Sequence, residues 1–372
     1  MYDAIVVGAR CAGSPVGMLL ARAGHKVLIV ERDTFPSDTL STAHMQPDAV
    51  IRMAKWGLID RLIAAGTPAY AKMNFGFGDI EMQTPPAEIP AYAPRRTVLD
   101  PILMQAARES GAEVREGCSV QEVLKDAEGR VTGVRLPENG SDAGTESARI
   151  VIGADGRNSV VARAVDAPKY NEFPGLTTCF YSFYTGLDQD MGHIYLRGDH
   201  GIAVFPTNDK AACVAFEAPI ARYDEIRKDP EAYLMGILEA NAPAVAATVK
   251  AGKRIDKFFG MGGRESYYRK PFGPGWALAG DAGYLKDPFL GDGINDAFRD
   301  AELLAGAIDD GFSGRANLDE ALAAYEEKRN VATKDRYELT HDMCAALSTE
   351  ITMELVGRLG MSNGALAAAA AG

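Results

Sequence analysis

The sequence has 372 residues, of which 47% are hydrophobic and 24% are charged, and its formal net charge is -12. This composition is typical of a globular, enzyme-sized protein and excludes a disordered or fibrous chain. The negative charge, without a dense stripe of Lys and Arg, would repel nucleic acid and anionic lipid. We therefore expect no nucleic-acid partner.

Two further features concern the compartment. The chain has no apolar run of about 18 residues that could span a bilayer and no signal segment at its beginning. Its five cysteines are scattered without a C-x-x-C pair, which argues against a zinc site or a disulfide framework. We expect a soluble, cytoplasmic protein with free thiols, no metal and no stable membrane insertion. The sequence does not define an oligomeric state.

The first 31 residues predict a strand, helix and strand unit. Residues 3–7 and 26–30 have the apolar pattern of buried parallel strands, residues 14–23 form an amphipathic helix, and Gly24 fits a left-handed cap. The turn from Gly8 to Gly13 has the spacing of a G-x-G-x-x-G fingerprint, which places phosphate at a helix N-terminus. Glu31 follows the second strand, where an acid accepts from ribose hydroxyls. The pattern favours a dinucleotide site over a turn without a ligand.

Arg10 departs from that fingerprint, because it replaces the middle glycine that lets the backbone approach a pyrophosphate. Its guanidinium could point toward the phosphates or the ligand crevice. Alternatively, the side chain is turned to solvent. The sequence leaves both possibilities open.

The rest of the chain alternates between helical and strand-like patterns. The helix after the Gly- and Pro-rich stretch is predicted to begin near Pro101, which a first turn tolerates, and to end at Ser110 before Gly111. Alternating aromatic and polar residues over 165–262 predict an antiparallel sheet with one covered face. The other predicted elements are helical residues 49–65, strands at 73–77, 113–115, 121–125 and 131–136, an exposed hairpin at 138–147, a strand at 150–152 that rejoins the first sheet, a mainly helical segment at 318–359 and a frayed tail at 365–371.

Two later segments carry glycine and aspartate at the end of a strand. The first ends in Asp155 and Gly156, and the second ends in Gly280 and Asp281. The second continues into the turn 288–297, which is glycine-rich and enters a helix. The alternative for this turn is an ordinary loop before a surface helix.

With these motifs, the sequence resembles the class A flavoprotein monooxygenases, the p-hydroxybenzoate hydroxylase superfamily. The resemblance covers residues 3–305 and rests on the fingerprint, a DG motif, and a GD motif followed by P-x-x-G-x-G-x-N. The segment 96–100 also resembles the family's R-x-x-L-D. The resemblance to this family implies FAD as cofactor. It places Asp281 at the ribityl or pyrophosphate region and Arg96 on the ribityl and phosphate side. It places Asp155 in the stretch linked to FAD and pyridine nucleotide contact. The cofactor-binding residues predicted from the motifs are Gly8, Arg10, Cys11, Ala12, Gly13, Glu31, Arg32, Arg96, Asp155, Gly156, Gly280, Asp281, Pro288, Gly291, Gly293, Ile294 and Asn295.

The helix that begins at Gly293 also has a role that follows from elementary electrostatics. Its N-terminal dipole and free N–H groups would face the edge of the isoalloxazine where negative charge gathers on reduction. Gly291 and Gly293 would let the backbone come close, and Pro288 would fix the loop that leads there.

The predicted fold class is α/β. A Rossmann-like FAD-binding domain would comprise residues 1–70, 92–164 and 265–315, and a second domain with an antiparallel sheet would bind substrate through residues 71–91 and 165–264. Residues 316–372 would form a C-terminal helical segment.

The resemblance implies an NADH- or NADPH-dependent hydroxylase that activates dioxygen as a flavin C4a-hydroperoxide and oxygenates a small hydrophobic or aromatic substrate. The sequence has no second fingerprint for NAD(P)H, no C-x-x-x-x-C redox pair and no halogenase W-x-W-x-I-P segment. The alternatives are an ene-reductase resembling the geranylgeranyl reductases, with Phe205-Pro206 as the shared trace, and a flavin-binding sensor without turnover. The motifs identify no catalytic residue.

Several polar and aromatic side chains of the predicted second sheet are candidates for contact with substrate. His193 and Tyr195 alternate on one strand and could meet substrate, but we prefer an ordinary role in the sheet for both. Four aromatic residues could line a pocket or could belong to the core: Tyr181, Phe183, Phe205 and Phe216.

Overall fold

The computed structural model describes residues 1–137, 144–349, 351–352 and 354–360. Ten labelled helices lie within these ranges: α1 (Gly13–Arg22), α2 (Pro47–Lys55), α3 (Ile59–Ala64), α4 (Arg96–Glu109), α5 (Val160–Ala164), α6 (Tyr223–Ile226), α7 (Pro230–Asn241), α8 (Pro243–Ala251), α9 (Gly293–Phe312) and α10 (Leu318–Ala346). Residues 354–360 are also helical.

The strands of the same ranges form four sheets. In chain order they are β1 (Tyr2–Val7), β2 (Val27–Val30), β3 (Ala69–Tyr70), β4 (Met73–Phe77), β5 (Ile80–Gln83), β6 (Ala91–Tyr92), β7 (Glu113–Arg115), β8 (Glu122–Lys125), β9 (Val131–Leu136), β10 (Gly144–Gly153), β11 (Lys169–Phe173), β12 (Thr177–Thr185), β13 (Gly192–Arg197), β14 (His200–Thr207), β15 (Ala211–Pro219), β16 (Lys253–Arg254), β17 (Phe259–Met261), β18 (Ser266–Arg269), β19 (Phe272–Gly273), β20 (Trp276–Leu278) and β21 (Tyr284–Leu285).

The first sheet contains the predicted strand, helix and strand unit. Its order is β19-β20-β10-β1-β2-β7, and the pairs from β20 to β7 are parallel. β1 is central, and the chain leaves it toward β2 on one side while β10 flanks it on the other. The carboxyl end of such a strand is a topological switch point, where open α/β sheets bind ligands.

The second sheet has the order β16-β12-β15-β14-β13-β4-β5, with β17 paired to β12. It is antiparallel except where β4 runs parallel to β13. One of its faces is covered by a core that includes side chains of α6, α7 and α8. The opposite face looks toward the turn that precedes α9.

A third sheet, β11-β18-β21, lies against α10 through the aromatic cluster of Tyr268, Tyr284 and Tyr337. α10 also packs along α9. The C-terminal helical segment therefore contacts both the third sheet and the helix that begins at Gly293.

The α/β fold class is confirmed, with a Rossmann-like sheet, an antiparallel sheet and a helical C-terminus. Most predicted strands lie within one or two residues of their observed bounds, and Gly24 and Gly111 both adopt positive φ after a helix. The predicted start of the helix at Pro101 is wrong, because α4 begins at Arg96. Pro101 lies one turn inside the helix, where it removes only the bond to the carbonyl of Thr97.

Two other differences concern elements that local pattern did not predict. The single helix expected over 49–65 is two helices, α2 and α3, separated by Gly57 at φ +76°. Helices α7 and α8 interrupt the segment 165–262, which we had expected to be sheet throughout. Residues 138–143 of the predicted hairpin and the tail 365–371 lie outside the described residues.

Candidate active site

The fingerprint turn lies between β1 and α1 and is held by very close backbone contacts. Gly8 has φ +101°, and a Cβ added there would lie 2.5 Å from the carbonyl oxygen of Ala154. A Cβ added at Gly13 would lie 1.8 Å from the carbonyl oxygen of Gly8. Both positions therefore require glycine, and they bring the N-terminus of α1 against the ends of β1 and β10. A helix N-terminus at this place favours an anion.

Glu31 lies at the end of β2, is 4% exposed, and points back into the fingerprint turn. Its Oε2 accepts a hydrogen bond from the backbone N–H of Ala9 at 2.7 Å, and its Oε1 accepts from that of Asp33 at 3.0 Å. The acid therefore stabilises the turn itself. Its predicted contact with ribose stays a prediction. Arg32 beside it has a 74% exposed side chain that lies 3.8 Å from Asp33.

Arg10 does not point into solvent, so that alternative is wrong. Its side chain is 17% exposed, with Nη2 2.8 Å from Asp33 and Nη1 2.6 Å from Asp100. Asp100 is fully buried and also accepts from Arg96 Nε at 2.9 Å and Nη2 at 3.0 Å. The Cys11 thiol donates to the same carboxylate at 3.5 Å. One buried acid thus joins the fingerprint turn to the R-x-x-L-D segment.

The DG and GD motifs both adjoin the fingerprint. Asp155 accepts from the backbone N–H of Val160 at 2.6 Å, while its Oδ1 is buried without a partner. Gly156 follows at φ +74°. Gly280 has φ +58°, and a Cβ there would lie 2.9 Å from that of Ala12. Three segments distant in sequence therefore meet at the carboxyl edge of the first sheet.

Asp281 follows Gly280 at this edge of the first sheet, which we call the crevice, and is exposed to solvent. Crowding by protein atoms raises the pKa of its carboxyl to about 6, although the charges of Arg96 and Arg157 act in the opposite direction. An accessible carboxylate surrounded by protein is suited to accept hydrogen bonds from the hydroxyls of a bound ligand.

The P-x-x-G-x-G-x-N segment forms a 3-10 turn, Pro288–Leu290, followed by Gly291 at φ +67° and by α9. A Cβ added at Gly293 would meet no atom within 4 Å, so the N-terminus of α9 opens onto free space. Ile294 is 5% exposed and packs in the core. Asn295 Oδ1 accepts from the backbone of Gln46 at 3.3 Å, and its buried Nδ2 has no partner.

Asp292, between the two glycines, fixes this turn. Its carboxylate accepts from Lys286 Nζ at 2.7 Å, from Arg336 Nη2 at 2.7 Å and from Gln46 Nε2 at 2.6 Å. Despite burial, the charges of Lys286 and Arg336 hold the pKa of Asp292 well below its usual range. The turn is therefore attached to the C-terminal helix α10 through an ion pair.

A cavity of about 540 Å³ lies between this turn and the second sheet. It is lined mainly by apolar side chains, including Met73, Phe75, Phe77, Ile194, Leu196, Phe205, Pro288, Phe289, Leu290, Val356 and Leu359. Such a large, mostly apolar concavity with few polar groups is typical of a site for an organic ligand.

The polar pair nearest Gly291 is His44 and Tyr70. His44 Nδ1 lies 2.6 Å from the Tyr70 hydroxyl, and the imidazole stacks on Phe205 with ring centres 4.5 Å apart. Burial lowers the pKa of His44 to about 4, against a smaller opposing effect of Asp292. The imidazole is therefore neutral at physiological pH and can either accept or donate a hydrogen bond.

The aromatic residues considered from sequence divide between the two faces of the sheet. Phe205 and Phe216 border the cavity, although the Phe216 ring packs in the core on the other face. Tyr181 and Phe183 pack on Phe259 instead. His193 and Tyr195 do not border the cavity: His193 lies 2.7 Å from Gln189, and Tyr195 accepts from Asn74 at 3.2 Å.

A family model described as an FAD binding domain matches residues 1–339. The chain belongs to this family. It is an FAD-dependent oxidoreductase of the class A flavoprotein monooxygenase superfamily, as the motifs had predicted. No helix in the described ranges combines the length and apolar character needed to cross a membrane.

Known relatives of this flavoprotein have different activities. This chain is 25% identical over 324 residues to the 1H-pyrrole-2-carbonyl-[peptidyl-carrier protein] brominase of Pseudoalteromonas luteoviolacea. The match covers 84% of this chain and 78% of the brominase. This chain is 27% identical over 329 residues to a menaquinone reductase from Mycolicibacterium smegmatis, covering 82% and 75% of the two chains.

Solved structures share its fold. The myxobacterial chondrochloren halogenase CndH aligns with a TM-score of 0.83 and 22% identity over 97% of this chain and 90% of that one. PqsL of Pseudomonas aeruginosa, in complex with 2-aminobenzoylacetate, aligns with a TM-score of 0.80 and 20% identity over 96% and 99%.

The crevice of this flavoprotein fits FAD on its own geometry. The α1 N-terminus suits a pyrophosphate, the accessible Asp281 suits ribityl hydroxyls, and the free space at Gly293 suits the approach of a flat ring. The buried, unpartnered Oδ1 of Asp155 and Nδ2 of Asn295 are polar atoms that a ligand could satisfy.

Sequence reasoning missed four residues of the site: His44, Tyr70, Asp100 and Glu217, the last of which lies on β15 and lines the cavity. Asp100 was recognised only as the last residue of the R-x-x-L-D motif. Its ion pairs with Arg10 and Arg96 were not predicted. Glu217 had a visible signal, because it is the one acid in the apolar strand of residues 211–219. His44 and Tyr70 had none, since their pairing depends on an irregular segment and the short strand β3, which meet only in the fold.

Proposed function

We propose that this flavoprotein is an NADH- or NADPH-dependent monooxygenase that hydroxylates a hydrophobic or aromatic molecule bound in the cavity. The observation that carries the proposal is the position of the cavity, which is bounded on one side by the turn Pro288–Gly291 and on the other by the second sheet. A substrate there would lie beside the glycine turn that we assign to the isoalloxazine.

The chain's own residues would hold the cofactor at the crevice already described. The α1 N-terminus and Glu31 would face the adenosine diphosphate half, Asp281 the ribityl chain, and the α9 N-terminus the ring. FAD, when bound, supplies electron transfer and activation of dioxygen. The protein contributes binding, orientation and a dry site.

Exclusion of water is the main chemical contribution of the cavity. Its walls are apolar on the sheet side, and side chains of residues 351–360 pack with those of β4 and β13 near the turn. An enclosed, apolar site protects reactive oxygen species from loss to solvent. Within the described ranges, no cluster of three or more metal-ligating side chains competes with this assignment.

His44 is the group best placed to hold a proton near the turn. Its imidazole borders the cavity, lies against Gly291 and is neutral at physiological pH. A neutral imidazole bonded to the Tyr70 hydroxyl could orient a substrate hydroxyl by accepting or donating a hydrogen bond. This role would make His44 a catalytic residue.

The test combines two measurements on purified protein loaded with FAD. A screen of hydrophobic and aromatic compounds should identify one that stimulates NAD(P)H oxidation together with oxygen consumption. Under labelled dioxygen, the product from that compound should contain one labelled oxygen atom. Stimulated NAD(P)H oxidation that yields only peroxide with every compound would contradict hydroxylation.

A second candidate is reduction of a carbon–carbon double bond. It is favoured by 27% identity to the menaquinone reductase and, over 88% of this chain, to digeranylgeranylglycerophospholipid reductase 1 of Methanococcoides burtonii. The apolar cavity would accommodate an isoprenoid equally well. An ene-reductase would saturate its substrate anaerobically without incorporating label, so the same screen repeated without oxygen separates the two functions.

A further inference from the structure

Among the described residues that line the cavity, no cation is available to an anionic ligand. Of its lining residues, Asp48 pairs with Arg52 at 2.8 Å, and Arg336 pairs with Asp292 at 2.7 Å. His44 is neutral for the reason given above. A carboxylate or phosphate buried here would lose its hydration without gaining a counter-charge, which is strongly unfavourable.

Two side chains among the described residues that line the cavity have a buried oxygen without a hydrogen-bond partner, Asp48 and Glu217. Asp48 is held in an ion pair with Arg52, whereas Glu217 has no ion-pair partner among the described residues. Glu217 lies on β15 directly opposite Cys179 of β12 and Gly201 of β14, so the three share the face of the sheet that borders the cavity. Glu217 is 6% exposed. Its carboxyl group is hydrogen bonded to the Cys179 thiol, while its Oε2 is buried and has no hydrogen-bond partner.

The surroundings of Glu217 favour the neutral carboxylic acid. Burial, reinforced by the nearby charge of Asp287, raises the pKa of Glu217 well above its usual range. The other groups that face it are thiols, Cys179 and Cys344, which are themselves buried. A neutral carboxylic acid both donates and accepts, and a buried oxygen without a partner gains by acquiring one.

The sheet surface between Glu217 and His44 lines the cavity with small side chains, including Ala203 and Ala215. On β14 the cavity face continues from Gly201 through Ala203 to Phe205, on which His44 stacks. Phe205 follows Gly201 by four positions along β14, so the two residues are about 13 Å apart. The small residues in between leave room for an elongated molecule with one end at each polar group.

We propose that Glu217 recognises an oxygen atom of an uncharged, elongated organic substrate whose other end lies at His44 and Gly291. This inference depends on the proposed function only in taking the cavity as the substrate site. It goes further by assigning the substrate class, a neutral apolar molecule with at least one hydroxyl or carbonyl group, and the residue that selects it.

The test measures binding to FAD-loaded protein by calorimetry, without reductant. Three probes share a skeleton and differ in one group: para-butylphenol, para-butylbenzoate and para-butyltoluene. The variants are Glu217→Gln, which keeps the shape and the neutral polar group, and Glu217→Leu, which removes hydrogen bonding. Glu225→Leu, an exposed acid outside the cavity, is the control.

We expect wild-type protein to bind the phenol at least about tenfold more tightly than the benzoate, because the carboxylate would be buried without a counter-charge. Glu217→Leu should weaken phenol binding about tenfold and leave the toluene within about threefold, since only the phenol loses a hydrogen bond. Glu217→Gln and the control should both bind the phenol as wild type does.

Several results would overturn the proposal: equal affinity for phenol and benzoate, an equal loss of phenol and toluene binding in Glu217→Leu, no change in that variant, or no binding of either neutral probe. Because no turnover is measured, these outcomes are independent of the labelled-dioxygen experiment. Probe selectivity without oxygen incorporation would remove the hydroxylase function and leave the recognition by Glu217 intact.

Discussion

Two regions meet at the turn Pro288–Gly291, and they are built on opposite principles. On the side of the first sheet, buried charges are paired: Asp100 joins Arg10 to Arg96. On the side of the second sheet, the cavity wall is mainly apolar, and burial raises the pKa of its acid Glu217 well above the usual range. The difference shows that the cofactor crevice depends on fixed charges and close backbone contacts, whereas the cavity depends on shape and dryness.

This contrast has a consequence for mutation. Removing one member of a buried ion pair leaves its partner charged and unsolvated, which is among the most destabilising changes in a protein. Changing an apolar wall residue mainly alters which molecules fit. Substitutions at the first sheet should therefore affect stability and FAD together, and those at the second sheet should affect ligand selection alone.

The largest effect is expected for Asp100→Asn. Asparagine lacks the charge that Arg10 and Arg96 both contact, so the buried Arg96 would lose its ion-pair partner and Arg10 would keep only the more exposed Asp33. The free energy of unfolding should fall by about 3–5 kcal/mol. Urea denaturation of the FAD-loaded protein measures it.

The control is Asp310→Asn, which breaks the ion pair with Arg315, where both side chains are more than half exposed. Its cost should stay below about 1 kcal/mol. Equal losses in the two variants would mean that the buried cluster is no more important than a surface ion pair.

A smaller effect, on FAD affinity, is expected for Glu31→Ala. The proposed hydrogen bonds from ribose to a charged acceptor are worth about 1.5–3 kcal/mol, so the dissociation constant of FAD should rise by more than about tenfold. The N–H groups of Ala9 and Asp33 would also lose their acceptor, so the FAD-free protein should become less stable. Fluorescence titration with FAD and urea denaturation measure the two effects. Unchanged FAD affinity in a destabilised variant would limit Glu31 to a structural role.

Gly293→Val separates the cofactor from the fold. A Cβ at Gly293 meets no protein atom within 4 Å, so the new side chain would occupy only the space that we assign to the flavin ring. FAD affinity should fall about tenfold, or the flavin spectrum should shift, because the backbone could no longer approach the ring.

Gly306→Val is its matched control, since Gly306 lies in the same helix, α9, and its Cβ would also meet nothing within 4 Å. Gly293 begins α9 and Gly306 lies in its interior, so the control reports what a valine in this helix does away from the proposed ring site. If the two variants bound FAD equally well, the assignment of the α9 N-terminus to the ring would be wrong.

The sequence predicted the first region far better than the second. β1, β2 and the turn between Gly8 and Gly13 are determined by local pattern, because buried strands are continuously apolar and a tight turn requires glycine. The start of α4 was mispredicted because proline usually marks the beginning of a helix. Pro101 is tolerated inside the first turns of α4, since it removes only one backbone hydrogen bond there.

Contacts between distant segments were beyond local reasoning. The pairing of Arg10 with Asp100 spans 90 residues, and that of His44 with Tyr70 joins an irregular segment to the short strand β3. Such pairs follow from how the elements pack, which neither periodicity nor motif spacing specifies. Helix α7 is different, because Asp229 as its N-cap and Pro230 at its first position are local start signals that the sequence reasoning did not use.

The smallest expected effect concerns the pH dependence of stability, and it arises from Asp281. Its pKa is raised to about 6 from an ordinary value of 3.8, so at intermediate pH the folded protein retains a proton that the unfolded chain has released. Stability of the FAD-free protein should therefore fall as pH rises from about 4 to about 6, and Asp281→Asn should remove that part of the slope. Because the carboxylate is open to solvent, screening should keep the change below about 1 kcal/mol. Urea denaturation across this pH range measures it, with Asp310→Asn as an exposed control that should keep the wild-type slope. If the free energy of unfolding depended on pH in the same way in Asp281→Asn and in wild type, the crevice would not perturb the pKa of this carboxyl group. The crevice would then be no different from an ordinary surface in its effect on this acid.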